Sequence, residues 1–282
     1  MPDRAGWRRQ RVVVPLALAL VVAVLLLLAA GVHGRSSATV TSGPLPAFQG
    51  QAAHYPLPGP ARPERIVVLG DSVPAGVACS CPSFGELLAR TATLATRRPA
   101  VLDNYALGGL TTAGLAAQLS ADGTPLVAAL RRATTVTVTI GANDFDSAQA
   151  EKPACETSGT ACFGADLAAL PGSLRASLDR IRALAGPNAR ILVTGYWNVF
   201  LDGDVAAARG GVYVRSSDTL TRAVDARIAR TARAAGARYI DLYGPFKGGG
   251  NPTPLLAPDG DHPSAAGHRL ISRLLAHASG LT

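Results

Sequence analysis

The stretch RIVVLGDS at residues 65–72 decides the fold. Its apolar part, RIVVL at residues 65–69, is short and runs into Gly-Asp-Ser, which predicts a buried β-strand that ends in a turn. A helical pattern follows near residues 83–95, and it opens with Ser83 and Glu86 at the spacing of a capping box. The first unit of the chain is therefore predicted to be a strand followed by a helix.

Strands and helices alternate along the rest of the chain. Further strands are predicted at residues 101–105, 134–140, 191–194 and 239–242, and further helices near residues 112–119, 172–184, 217–235 and 264–278. This alternation indicates βαβ units, in which parallel strands form one sheet and helices cover both of its faces. We therefore expect a three-layer α/β/α fold of the flavodoxin-like kind, with a parallel five-stranded sheet. Such sheets carry their sites in the loops at the carboxyl ends of the strands.

Length and composition indicate one globular domain with an N-terminal addition. The 282 residues are 48% hydrophobic, which supports a sizeable core, and 16% charged, which is too few for a long solvated helix. The formal net charge is +8, but five of the 27 basic residues lie in the first 35 positions. The other Arg residues are scattered and do not cluster with aromatic residues, so no nucleic-acid partner is expected.

An uncharged apolar run at residues 12–32 follows four Arg residues. Its 21 residues are enough to span a bilayer, whereas the core of a signal peptide usually has about 7 to 15 apolar residues. We expect a transmembrane signal anchor, with residues 1–11 in the cytoplasm and the rest of the chain outside the cell membrane. Cleavage after the small residues 29–31 is the alternative, and it would make the protein secreted.

Residues 33–63 contain six Pro residues among Ser, Thr, Gly and Ala, and they have no apolar periodicity. This composition is typical of an extended, semi-rigid tether. Residues 64–282 are then predicted to form one folded domain.

Polar residues follow the predicted strands, where the fold would bring them to one edge of the sheet. They are Gly-Asp-Ser at residues 70–72, the stretch NYALGG at residues 104–109, Asn143, and the pair Asp259 and His262. Taken together, these four stretches resemble the motif blocks of the SGNH, or GDSL, hydrolase family of esterases and lipases in their order and spacing. The resemblance extends from residue 66 to about residue 275 and implies the SGNH hydrolase fold and an ester-cleaving enzyme.

Each residue of the proposed triad can be argued from acyl-transfer chemistry. A serine hydroxyl needs a base within hydrogen-bond reach, and the base must itself be oriented. Ser72 is the expected nucleophile and His262 the expected base. Asp259 can meet the imidazole because residues i and i+3 come together in one tight turn, which leaves Nε2 to accept the proton. Asp261 is the competing carboxylate, but adjacent side chains in a turn diverge, and the resemblance also implies an acid three residues before the histidine.

The resemblance further implies an oxyanion hole made by the backbone N–H groups of Ser72 and Gly109 and the side-chain amide of Asn143. A glycine suits the second position because a Cβ would crowd the acyl oxygen. Gly108 is the alternative donor, although matching residues 104–109 to the family block favours Gly109. The nucleophile elbow of the α/β-hydrolases, Gly-x-Ser-x-Gly, is disfavoured because Pro74 stands where the second Gly belongs.

The cysteines of an exported domain indicate two disulfides among Cys79, Cys81, Cys155 and Cys162. We favour local pairs, Cys79 with Cys81 and Cys155 with Cys162, and cross-links between the two loops are the alternative. The His and Cys residues lack metal-ligand spacing, so neither a metal nor another cofactor is expected.

The substrate is the least determined part of the prediction. Tyr196 and Trp197 follow the fourth strand and are candidates for a substrate pocket, while packing of the loop onto the sheet explains them equally well. The sequence predicts an exported serine esterase or acyl hydrolase whose substrate is a small-molecule, lipid or glycan ester. Two alternatives stay open: an acyltransferase or deacetylase acting on cell-envelope glycans, and a non-catalytic surface binding module.

Overall fold

The computed structural model describes residues 63–152, 155 and 159–282. Within this part of the chain, no helix has both the length and the apolar character that crossing a bilayer requires. The predicted anchor at residues 12–32 and all of the predicted tether except its last residue lie outside the described residues.

The strands form one parallel sheet, as predicted. They are β1 (Arg65–Gly70), β2 (Val101–Asn104), β3 (Thr135–Thr139), β4 (Arg190–Thr194) and β5 (Arg238–Ile240), in the spatial order β2-β1-β3-β4-β5. Strands β1 and β3 are therefore central, and Gly70 pairs with Thr139 where both strands end. The carboxyl ends of all five strands meet at one edge, which is the edge where the sequence predicts the site.

Helices cover the sheet in two groups. They are α1 (Ser72–Ala75), α2 (Phe84–Thr96), α3 (Thr112–Ser120), α4 (Pro125–Leu130), α5 (Ser147–Ala150), α6 (Gly164–Ala185), α7 (Gly203–Ala208), α8 (Gly211–Ala234), α9 (Tyr243–Lys247) and α10 (Ala265–Ala278). Helix α2 packs against α10, while α6 packs against both α3 and α8. Ser83 caps α2 and forms the predicted capping box with Glu86.

Two helices are longer than predicted. Helix α6 was expected from residue 172 but begins at Gly164 and continues through Pro171. Proline removes one backbone hydrogen bond inside a helix, but Leu167, Leu170 and Leu174 on either side of it are fully buried, and that burial offsets the lost bond. Helix α8 likewise begins at Gly211 and not at residue 217, because the buried ring of Tyr213 extends its apolar face.

Candidate active site

Ser72 lies two residues after the end of the central strand β1, at a turn that only glycine can make. Gly70 has φ of +132°, and a Cβ at this residue would lie 1.8 Å from the carbonyl oxygen of Thr139. The backbone N–H of Asp71 donates to the same oxygen at 3.1 Å. The turn therefore fixes the start of α1, and Ser72 is the first residue of that helix.

Asp71 is buried beside Ser72, and its carboxylate accepts two hydrogen bonds. One carboxylate oxygen caps α1 by accepting from the backbone N–H of Val73 at 3.1 Å, and the other accepts from the hydroxyl of Tyr196. Burial raises the pKa of the Asp71 carboxyl to about 7, although both hydrogen bonds act in the opposite direction. The sequence motif includes Asp71 but does not reveal its pairing with Tyr196.

The loop after β2 lies against Ser72. The backbone N–H of Leu107 donates to the carbonyl of Gly70 at 2.9 Å, and a Cβ on Gly108 would lie 4.0 Å from the Cβ of Ser72. Gly109 has φ of +78° and open space where a side chain would be. The backbone N–H groups of Ser72 and Gly109 have no acceptor within the described residues, so both are free to bind a ligand atom.

Asn143 lies in a single 3₁₀ turn, Ala142–Asp144, that follows β3. Its side-chain amide is exposed and donates to the carbonyl of Leu110 at 3.1 Å. The next residue, Asp144, accepts from the backbone N–H of Thr112 at 2.9 Å, which ties this turn to the first residue of α3. Burial raises the pKa of the Asp144 carboxyl above its ordinary value.

His262 and Asp259 form a close pair in the loop that precedes α10. Nδ1 of His262 lies 2.7 Å from Oδ2 of Asp259, whereas Oδ2 of Asp261 is 3.9 Å from the same nitrogen. The other oxygen of Asp259 accepts from the backbone N–H groups of Asp261 and His262, each at 3.0 Å. Partial burial raises the pKa of Asp259, but these hydrogen bonds lower it more, so the net shift is downward. Asp259 is thus the carboxylate that orients the imidazole in this structure.

Backbone hydrogen bonds hold the histidine loop in place. The N–H of Ala257 donates to the carbonyl of His262 at 2.7 Å, and the N–H of Asp202 donates to the carbonyl of Gly260 at 2.8 Å. A Cβ on Gly260, whose φ is +73°, would lie 2.6 Å from the Cβ of Val205. The loop therefore closes tightly against the segment that follows β4.

Ser72, Asn143 and Asp261 border one small cavity of about 40 Å³. Asp261 precedes His262, so the cavity brings the loops of all three motifs together. Within the described residues, no hydrogen bond joins the Ser72 hydroxyl to His262. A nucleophile and its base are often farther apart in an unliganded enzyme than in its substrate complex.

Tyr196 and Trp197 border the same cavity but are almost completely buried, at 1% and 0% exposure. The Tyr196 hydroxyl binds Asp71, and the Trp197 ring stacks on Phe246 with 4.3 Å between ring centroids. Both side chains thus support the loop after β4 from the core side.

The cysteines form the two local disulfides, Cys79 with Cys81 and Cys155 with Cys162, as favoured from the sequence. The ligand atoms of Cys79, Cys81 and His268 lie within 4.8 Å of one another. Because both sulfurs belong to a disulfide, they are not available to a metal as thiolates. His268 is buried, accepts from the backbone N–H of Phe84 at 3.2 Å, and has its pKa lowered by burial to about 4.

Comparison with known proteins agrees with this geometry. The model of the GDSL-like lipase/acylhydrolase family matches residues 68–270, more than two thirds of the chain. The chain belongs to this family, as the motif resemblance predicted, and it is therefore an ester-bond hydrolase. A comparison with curated protein sequences finds no match.

Solved structures share the fold. The lipase Lip_vut3 from a goat rumen metagenome is 21% identical, with a TM-score of 0.61, and the match covers 77% of this chain and 98% of that one. Phospholipase A1 from Streptomyces albidoflavus is 25% identical, with a TM-score of 0.56, and the match covers 75% and 98%. The extracellular lipase from Streptomyces rimosus is 24% identical, with a TM-score of 0.55, and the match covers 76% and 99%. The described domain thus spans nearly the whole length of each of these enzymes.

Proposed function

We propose that this chain is an exported serine esterase that cleaves carboxylic esters through Ser72, His262 and Asp259. The observation that carries the proposal is the 2.7 Å contact between His262 Nδ1 and Asp259 Oδ2, in a loop whose Asp261 borders the same cavity as Ser72. The family membership supports ester hydrolysis as the reaction.

The triad divides the chemistry in the following way. The carboxylate of Asp259 accepts a hydrogen bond from the Nδ1–H of His262, so Nε2 is free to take the proton of the Ser72 hydroxyl. The Ser72 oxygen attacks the ester carbonyl, and the tetrahedral intermediate expels the alcohol, which takes the proton from Nε2. Water, activated by His262, then attacks the acyl-enzyme, releases the acid and restores Ser72.

The negative charge that develops on the carbonyl oxygen needs fixed donors. In this proposal they are the free backbone N–H groups of Ser72 and Gly109 and the amide of Asn143. Because Asp144 holds the Asn143 turn against α3, the amide is positioned before the substrate arrives, which is the condition for effective oxyanion stabilisation.

The anchor and the location outside the cell membrane belong to the same proposal. The Arg residues before the apolar run at residues 12–32 support an orientation with the domain outside, and the two disulfides are compatible with an oxidising compartment. Protease added to intact cells should degrade the domain and spare the N-terminus. Recovery of the full-length chain as a soluble cytoplasmic protein would contradict this part of the proposal.

The catalytic proposal is tested with the full chain purified in mild detergent. Hydrolysis of p-nitrophenyl esters is measured for the wild type and for Ser72→Ala, and the variant should lose activity. Hydrolysis that does not require Ser72 would refute the mechanism. Adding a glycan acceptor to the same assay tests the acyltransferase alternative, because acyl transfer would yield an acylated glycan in place of the free acid.

A further inference from the structure

Arginine residues collect at the edge of the sheet where the strands begin, opposite to the catalytic edge. Because the strands are parallel, the residues that lead into them lie at this one edge. The edge has Arg97 and Arg98 before β2, Arg131 and Arg132 before β3, and Arg65, Arg190 and Arg238 as the first residues of β1, β4 and β5. We call it the basic edge. These residues are far apart in the sequence, and the fold brings them together.

The fold uses few of these charges. Among the described residues that connect a helix to the next strand or precede β1, Glu64 is the only acid, and it is paired with Arg190 at 2.6 Å. The side chains of the two Arg pairs, at residues 97–98 and 131–132, are exposed and form no ion pair or hydrogen bond within the described residues. A helix C-terminus favours a cation, but α2 and α4 are each followed by two. The basic edge therefore carries positive charge that is free to bind an anionic partner.

Large apolar side chains are exposed among these charges. Leu94 lies one turn before Arg97 on α2, and its side chain is 80% exposed, more than that of any other large apolar residue that the structure describes. Val101, the first residue of β2, is 36% exposed at the same edge. Apolar side chains bordered by cations are typical of surfaces that bind anionic membranes, because the apolar groups enter the headgroup layer while the cations attract lipid phosphates.

The catalytic edge has charges of the opposite sign next to the strands. The described connections that run from the end of a strand to the next α-helix contain Asp71, Asp144, Asp146, Asp202 and Asp241, and they contain neither Lys nor Arg. The two edges are about 20 Å apart, which is the length of a six-residue strand such as β1. A negatively charged surface attracts the basic edge and repels the other, so it orients the domain.

We propose that the basic edge docks on the anionic phospholipids of the membrane, so that the catalytic edge faces away from the bilayer. Besides the charge and Leu94, the point of entry of the chain supports a membrane as the partner. Glu64 precedes β1 at the basic edge, so the segment that contains the proposed anchor joins the domain there. The inference rests on the proposed anchor for this last argument alone, and it is independent of the catalytic mechanism.

The experiment places the full chain in lipid nanodiscs of phosphatidylcholine, with or without added phosphatidylglycerol. A polarity-sensitive fluorophore is attached to the variant Ala95→Cys, at an exposed position near the end of α2. The described native cysteines all lie in disulfides, so the new thiol is labelled selectively. The control label is attached to Ala207→Cys, at an exposed position on α7, which follows β4 at the catalytic edge.

With phosphatidylglycerol, the emission of the label at residue 95 should rise by about twofold or more, and high salt should reverse the rise because the attraction is electrostatic. The label at residue 207 should not respond. The double variant Arg97→Gln/Arg98→Gln should lose most of the response. The matched control, Arg215→Gln/Arg269→Gln, removes two exposed charges outside the basic edge and should keep the response. Equal melting temperatures confirm that the variants are folded.

Equal emission from residue 95 in the two kinds of nanodisc would overturn the inference, as would an equal loss of response in both double variants. A response to added DNA and none to phosphatidylglycerol would assign the basic edge to nucleic acid and overturn it too.

The proposed function is tested separately. If nanodiscs of phosphatidylcholine alone do not retain the chain, the anchor is wrong, and retention by the anionic nanodiscs alone would still support docking. Retention by neither would overturn both the anchor and the docking. Ester hydrolysis by Ser72→Ala would refute the catalytic mechanism without affecting the docking.

Discussion

The hydroxyl of Tyr196 donates a hydrogen bond to the carboxylate of Asp71, the residue that directly precedes Ser72. Both partners are about 1% exposed. The pair connects the loop after β4 to the turn after β1, and it fixes the start of α1 from the core side.

Tyr196→Phe should destabilise the fold, because it leaves one oxygen of a buried carboxylate without its donor. The expected cost is about 1 to 3 kcal/mol in the free energy of unfolding, measured by urea denaturation. The matched control is Tyr243→Phe, which removes a 2.6 Å hydrogen bond to Asp218 at a more exposed position and should cost less. Equal losses of unfolding free energy in the two variants would show that the buried contact with Asp71 stabilises the fold no more than the exposed one with Asp218.

Stability should fall as the pH rises, in part because of Asp71. Its pKa is about 7 in the folded protein and 3.8 for an ordinary Asp, which is taken as the value in the unfolded chain. Between these pH values the unfolded chain releases a proton that the folded chain retains. The stabilisation is complete below pH 3.8 and is lost as the pH rises through 7, by roughly 4 kcal/mol at most. Asp225, with its pKa raised by burial to about 8, acts in the same direction.

Asp71→Asn removes one of these two groups and should therefore flatten the dependence of the unfolding free energy on pH between 4 and 7. Urea denaturation at several pH values measures the slope. The exposed Asp179→Asn is the control and should keep the wild-type slope. If Asp71→Asn has that slope too, the carboxyl is not protonated in the folded protein.

His262→Ala should reduce kcat almost as far as Ser72→Ala, because the two residues act as one unit and their losses do not add. Asp259→Asn should also reduce kcat, since the amide favours the wrong tautomer of the imidazole. Asp261→Asn should stay close to the wild type because its carboxylate is 3.9 Å from Nδ1. A stronger loss in Asp261→Asn than in Asp259→Asn would reverse the assignment of the acid.

Asn143→Ala should lower kcat by about 10² to 10³, with a smaller effect on KM, if the amide stabilises the oxyanion. Steady-state kinetics on a p-nitrophenyl ester measure both constants. Asn198→Ala is a useful contrast, because Asn198 borders the same cavity as Asn143, but its amide is buried and donates to the hydroxyl of Ser217. If Asn143→Ala instead raises KM and leaves kcat unchanged, the amide acts in substrate binding alone.

Local features of the site were predictable from the sequence, and distant contacts were not. The His262–Asp259 contact spans three residues, so a single turn determines it and the spacing reveals it. The Asp71–Tyr196 bond spans 125 residues, and each partner has a sufficient local explanation, one as a helix cap and the other as a packed aromatic. The chain pattern therefore contains no signal that joins them.

The same distinction explains the helix boundaries. The capping box of Ser83 and Glu86 is a short-range signal and marks the start of α2 correctly. Pro171 is also a short-range signal, but the packing of α6 against α3 and α8 overrides it. Burial of a helix face depends on neighbours that come from other parts of the chain, so the local sequence does not report it.

Gly70 and Gly109, the glycines of the first two motifs, should respond differently to mutagenesis. The clash at Gly70 is with a backbone oxygen, so no rotation of a new side chain relieves it. In a library that varies residue 70, selection for folded protein should therefore leave only glycine at this position. Gly109 has open space around it, so Asn and Asp, which tolerate a positive φ, should survive the same screen. They should disappear only when the library is screened for ester hydrolysis. Gly70 thus belongs to the requirements of folding, although it stands within the sequence motif of the catalytic site.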